Sequence, residues 1–112
     1  MKTILILPHR IIDFATAEEI KQRLEKRRED VKVEVCGNQQ ELQSKLRNGS
    51  TEVVSVALIS EGLTKLAREI TRRYQKRVVL LLKPRTRSRR DGLLIIMSSK
   101  ARPREIDGSL LT

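Results

Sequence analysis

The sequence predicts an α/β protein: a three-layer α/β/α sandwich, flavodoxin-like, built on a mostly parallel five-stranded sheet. Three observations predict it. Five short apolar blocks recur along 112 residues, helical stretches separate the first four, and most blocks are continuous rather than alternating. Continuous blocks are the mark of strands covered on both faces. Right-handed crossovers then lay helices on both sides of the sheet. A chain of this length holds one core. The expected division is a single domain over residues 1–98 and a polar, flexible C-terminal tail over residues 99–112.

The first block is Thr3 to Leu7. Thr16 and Glu19 have capping-box spacing, and Ala17, Ile20 and Leu24 supply an apolar stripe, so helix one is expected from there to about Glu29. In the second block Val31, Val33 and Val35 alternate with Lys32 and Glu34, which suits a sheet edge where one face meets water. Asn38 and Glu41 repeat the capping logic, Leu42 and Leu46 point inward, and Asn48-Gly49 offers a left-handed stop.

After the third block, Val53 to Ile59, the residues Leu63, Leu66, Ala67, Ile70 and Tyr74 form the clearest amphipathic stripe of the chain. Val78 to Leu82 and Leu93 to Met97 are the last two blocks, joined by the connector Lys83 to Asp91. A crossover helix takes roughly a dozen residues or more, so the fifth strand is expected antiparallel to the fourth or paired at the far edge. The tail, with Pro103, Gly108 and the apolar pair Leu110 and Leu111, is expected to fray.

The net charge of +10 favours a polyanionic partner: nucleic acid, an anionic membrane surface or an acidic protein face. From Ile70 to Arg90 the chain holds nine Lys or Arg residues and no Asp or Glu: Arg72, Arg73, Lys76, Arg77, Lys83, Arg85, Arg87, Arg89 and Arg90. These nine are the expected partner- or polyanion-binding residues. The first four also complement the negative end of helix three. The last five lie in a connector with no helix to stabilise. Arg outnumbers Lys seven to two in the run, which suits bidentate contacts to phosphate or carboxylate. Phe14 and Tyr74 are the only aromatic residues, so a nucleic acid would be held by its backbone and without sequence preference.

In parallel α/β sheets ligands bind at the carboxyl ends of the strands. That rule selects Pro8-His9-Arg10, Gly37-Asn38, Ser60-Glu61-Gly62 and Lys83-Pro84-Arg85. His9, with Arg10, forms a candidate anion site. Ser60 reads as the N-cap of helix three. Cys36 is a candidate nucleophile by its place at a strand end, but Gly37-Asn38-Gln39-Gln40 lacks the basic residue and glycine density of a thiolate cradle. A small buried hydrophobe fits it better. One cysteine excludes an intrachain disulfide, and no GxGxxG, P-loop, HExxH or paired CxxC element is present, so no cofactor and no metal is expected. No segment approaches the roughly 20 apolar residues of a membrane span, and the cytoplasm is the expected location.

The stretch Thr51 to Leu58, Gly62-Leu63 leading into an amphipathic helix, and Val78 to Leu82 together resemble the receiver domain of two-component signalling. The resemblance covers Met1 to about Pro84. Receivers hold magnesium with paired acids after strand one and carry an Asp at the end of strand three; this chain has Pro8-His9-Arg10 and Ala57 or Ser60 there. Without those carboxylates no magnesium site and no aspartyl phosphate is expected. Lys83-Pro84 is similar to the receiver Lys-Pro pair but follows the fourth strand. The resemblance implies a non-enzymatic docking module that meets an acidic protein or a neighbouring effector domain through its basic surface. The competing readings are a sequence-independent DNA- or RNA-binding protein using residues 72–90, and a phosphate-handling enzyme using His9 and Cys36. An exposed edge at strand two or five also offers a route to a homodimer.

Overall fold

The computed structural model describes residues 2–48 and 52–111. Its elements run β1 (Lys2–Pro8), α1 (Asp13–Arg27), β2 (Val31–Val35), α2 (Gln39–Asn48), β3 (Val53–Ile59), a 3₁₀ turn (Glu61–Leu63), α3 (Thr64–Tyr74), β4 (Arg77–Leu82), β5 (Arg89–Asp91), β6 (Leu94–Ser98) and α4 (Pro103–Leu111). The strands form one sheet in the order β2-β1-β3-β4-β6-β5, parallel except for β5. Helices cover both faces, which makes the fold a flavodoxin-like three-layer sandwich.

The continuous apolar blocks are explained by the pleat. Ile4 and Ile6 of β1 face the layer of α1 and α4, where they meet Ala17, Ile20, Leu24, Ile106 and Leu110. Leu5 and Leu7 face the other way, into a core made by Leu42 and Leu46 of α2 and by Leu66, Ala67 and Ile70 of α3. Successive side chains of a strand alternate between faces, so a strand buried on both sides must be apolar at every position. β2 is the exception and lies at the sheet edge as its alternation predicts. Its Val31 and Val33 join the α1 layer, while Glu34 on the opposite face is paired to Lys32 at 3.3 Å and Lys45 at 3.2 Å. The outer rim of β2 is covered too, because Val33 N–H donates to Glu25 Oε2 at 3.0 Å. A capped N–H blunts an edge against pairing with another chain.

Several expectations are corrected. Helix α1 begins at Asp13 rather than near Thr16, and it ends at Arg27 rather than about Glu29. The turn that starts it is closed by Asp13 N–H on Arg10 O at 2.9 Å, and Asp13 Oδ2 accepts the Arg10 N–H at 3.0 Å. That carboxylate reaches back to the N–H three residues before it, the part expected of Glu19, and Ile12 at the N-cap supplies no side-chain cap. Ser60 precedes the 3₁₀ turn but makes no side-chain cap. By contrast the cap of α2 forms as its spacing predicts, with Glu41 N–H on Asn38 Oδ1 at 2.8 Å. The stop assigned to Gly49 lies outside the described residues.

Among the described residues the sheet has six strands, not five, and the expected fifth strand, β6, is parallel to β4 and interior. The connector solves the length problem with an extended return. β5 runs back antiparallel to β6, and extended chain covers about 3.3 Å per residue where helix covers about 1.5 Å. The link Gly92-Leu93 needs a positive φ at its first position, and Gly92 supplies it at 61°.

The segment expected to fray instead contributes α4. Pro103 occupies its first position, where a missing N–H costs nothing. Ile106 and Leu110 are 4% and 1% exposed, and the spacing of four residues aims both at the sheet. Polar contacts that hold the helix include Arg23 to Asp107, Ser55 Oγ donating to Leu110 O at 2.7 Å, and Arg77 Nη1 donating to Ser109 O at 3.5 Å. Its partners come from three distant parts of the chain, so the local sequence does not announce them.

Candidate functional site

Parallel strands gather their carboxyl ends on one rim of the sheet, here called the upper rim. Four loops meet there: His9–Ile12 after β1, Ser60 and the 3₁₀ turn after β3, Lys83–Ser88 after β4, and 99–102 after β6. They border a cleft of about 580 Å³ lined in part by Arg10, Ile12, Ser60, Lys83 and Lys100. The two groups of candidate residues that the sequence kept apart, His9 with Arg10 and the start of the Arg-rich connector, therefore share one rim.

The nine basic residues of the run do not share it. β4 lies between them, six residues long and buried along most of its length, and it separates its two ends by about 20 Å. Arg72, Arg73, Lys76 and Arg77 sit at the lower rim, where the strands begin. Arg73 lies over the Tyr74 ring at 5.8 Å and 3.8 Å from Glu69. Lys76 is half-buried, and Arg77 reaches α4, so it is a bracing residue rather than a free surface cation. The expectation of a single basic surface is corrected on this point: the run makes an upper cluster and a lower one. The exposed edge strand β5 carries Arg89 and Arg90 between them.

At the upper rim the cations differ in how they are engaged. Arg10 binds Asp13 through Nε to Oδ2 at 3.2 Å and Nη2 to Oδ1 at 3.2 Å. Burial acts to raise the Asp13 pKa, but the hydrogen bonds and charge of Arg10 outweigh it and hold the carboxyl below its ordinary value. Arg10 is thus committed to the fold, which weakens it as an anion ligand. His9 is exposed and its ring lies over Gly62, where an added Cβ would come within 3.1 Å of Nε2. Lys83 Nζ stands 3.9 Å from Glu61 Oε1, with both side chains largely in solvent, an arrangement of little energetic weight. Among the described residues, Arg85, Arg87, Lys100 and Arg102 make no ion pair with a carboxylate.

Two residues of this rim hold backbone conformations that favour glycine. Ser60 has φ 116° and ψ 150°, and Arg85 has φ 73°. Arg85 follows Pro84 in a turn closed by Thr86 N–H on Lys83 O at 3.3 Å, the position where a type II turn prefers glycine. An arginine there is presented to solvent at some cost in stability.

The sequence reading missed the most exposed apolar side chains among the described residues. Ile11 is 92% exposed and Ile12 71%, with Phe14 at 37% beside them. They belong to neither core cluster. The available signal was their phase: they precede the buried stripe Asp13, Ala17, Ile20 and Leu24 and do not belong to it. Lys100 and Arg102 were missed because their segment was read as tail.

Cys36 is fully buried beside Leu5, Leu7 and Leu42. Burial, with a smaller push from the charge of Glu41, drives its thiol up to about 11. At neutral pH it is protonated, and the thiolate that a phosphate-handling reading requires does not form. Among the described residues no group of His, Cys, Asp and Glu is arranged to hold a metal ion, and no helix is long and apolar enough to cross a membrane. No family model, no curated protein and no solved structure matches the chain.

Proposed function

We propose that this protein is a non-enzymatic, receiver-like docking module whose upper rim binds an acidic partner. One observation carries the reading: Arg85, Arg87, Lys100 and Arg102 form no carboxylate pair among the described residues, on loops that share a rim with exposed Ile11 and Ile12. Neighbouring cations repel one another unless an anion screens them, and a fold gains nothing from assembling them at a strained turn. An external anionic surface supplies the missing charge. The receiver resemblance extends this reading, since the rim that holds acids and magnesium in that family carries His9, Arg10, Ser60 and Lys100 in this chain, and its acids Asp13 and Glu61 face Arg10 and Lys83. Docking without phosphorylation follows from that exchange of charge.

The test is a fluorescence titration with a labelled poly-glutamate peptide at low and moderate salt. The chain is expected to bind at low salt, with affinity falling as salt rises. The triple variant Arg85→Ser, Arg87→Ser, Lys100→Ser is expected to lose binding, and Arg72→Ser with Arg73→Ser to keep it. Binding that follows the lower pair would refute the assignment to the upper rim.

A second reading has its own supporting observation. Arg89 and Arg90 on exposed β5 bridge the two clusters, giving a basic strip about as long as β4. Such a strip suits a nucleic-acid backbone. It predicts duplex DNA binding with a steep salt dependence, weakened alike by substitutions at both rims and on β5. Absence of DNA binding at low salt would remove it.

A further inference from the structure

The acidic partner of the upper rim can be specified further, on the premise that the docking reading holds. Ile11, Ile12 and Phe14 cluster at one turn, at 92%, 71% and 37% exposure. Isolated apolar residues on a surface are ordinary, but three within one turn make a patch. The turn is also held out from the core. Asp13 N–H bonds Arg10 O at 2.9 Å, Phe14 N–H bonds Ile11 O at 3.2 Å, and the Arg10–Asp13 ion pair clamps its base. The isoleucines are consequently presented to solvent by a fixed turn as a preformed tip, with Ile12 at the border of the cleft.

A protruding tip differs from a groove in what it fits. It needs either a matching pocket or a surface that yields to it. Lys83 and Lys100 line the same cleft as Ile12, and Arg85, Arg87 and Arg102 stand on loops of the same rim, so phosphate or carboxylate is attracted to the side of the molecule that carries the tip. A bilayer with anionic headgroups over hydrocarbon meets both requirements, charge outside and apolar depth within, and needs no shape match. Contact of this kind is peripheral, in keeping with the absence of a membrane-spanning helix among the described residues.

We infer that the upper rim seats on an anionic membrane surface, with Ile11 and Ile12 inserted at the headgroup boundary and the cations of the rim on lipid phosphates. The experiment is sedimentation of the full chain with vesicles of phosphatidylcholine containing phosphatidylserine, and with vesicles of phosphatidylcholine alone. The chain is expected to sediment with the first and not with the second. The double variant Ile11→Ser, Ile12→Ser is expected to lower binding about tenfold or more while keeping its urea midpoint, because both side chains are exposed. Lack of binding to the anionic vesicles, or binding indifferent to the isoleucine substitutions, overturns the inference. The poly-glutamate titration separates the two levels. If the peptide binds and the vesicles do not, the rim serves an acidic protein and only the lipid assignment fails; if neither binds, the docking reading fails with it.

Discussion

Arg23 of α1 closes a two-pronged ion pair on Asp107 of α4, with Nη2 to Oδ1 at 2.7 Å and Nε to Oδ2 at 3.1 Å, across 84 residues of sequence. The Asp107 side chain is 1% exposed, and Arg27 adds a longer contact at 3.9 Å. A carboxylate this deeply buried is tolerable only with a cation against it. Removing one partner is expected to cost about 2–3 kcal/mol, at or below the usual range for a broken buried pair because Arg23 is partly solvated. Urea unfolding of Arg23→Met, Asp107→Leu and the double variant checks this. The double variant should lie closer to the parent than either single change; strictly additive losses would contradict the pairing.

Helix α4 is part of the core rather than an appendage. Ile106→Ala is expected to destabilise the fold by roughly 2–5 kcal/mol, the range for deleting a buried branched side chain. An unchanged urea midpoint would mean that the helix does not cover the sheet in solution.

Ser60 stores backbone strain at φ 116°. Glycine adopts that conformation freely, so Ser60→Gly is expected to stabilise the protein by about 1 kcal/mol, seen as a higher Tm. Ser60→Val should lower it, because a branched Cβ tolerates this region least. A glycine variant that melts earlier than the parent would show that the hydroxyl outweighs the strain.

Acid should weaken the fold in a defined window. Asp13 and Glu34 are both held below their ordinary pKa: burial opposes this in each case, and it is outweighed by Arg10 for Asp13 and by Lys45 and Lys32 for Glu34. A carboxylate with a depressed folded value contributes stability above its unfolded value, near pH 4, and loses it as the pH falls through the folded value. The urea midpoint should hold from neutrality to about pH 5 and then drop. Asp13→Asn should show a shallower drop and meet the parent at the acid end. Parallel curves for the two proteins would exclude this role for Asp13.

Cys36 should resist alkylation in the native state and react quickly once unfolded, since burial drives its thiol up to about 11. Iodoacetamide labelling at pH 8 with and without denaturant measures both rates. Fast native labelling would show that the core opens around β2.

The sequence by itself determined the α/β sandwich, the edge position of β2 and the buried fate of Cys36. Each rests on a pattern carried by neighbouring residues: apolar runs buried on two faces, valines alternating with charge, a thiol with no cation beside it. Tertiary structure alone decided the rest. Asp107 reads as a polar tail residue until Arg23 arrives from another helix, and Ile106 has no visible core until the sheet is assembled beneath it. The basic run is continuous in the chain, yet β4 carries its halves to opposite rims. Ile11 and Ile12 fall outside the buried stripe by phase, but their exposure appears only with the turn that the Arg10–Asp13 pair holds. Hydrophobic periodicity is local and survives in the linear chain. The environment of a charge, or of an apolar residue at a turn, is set by neighbours that only folding brings near.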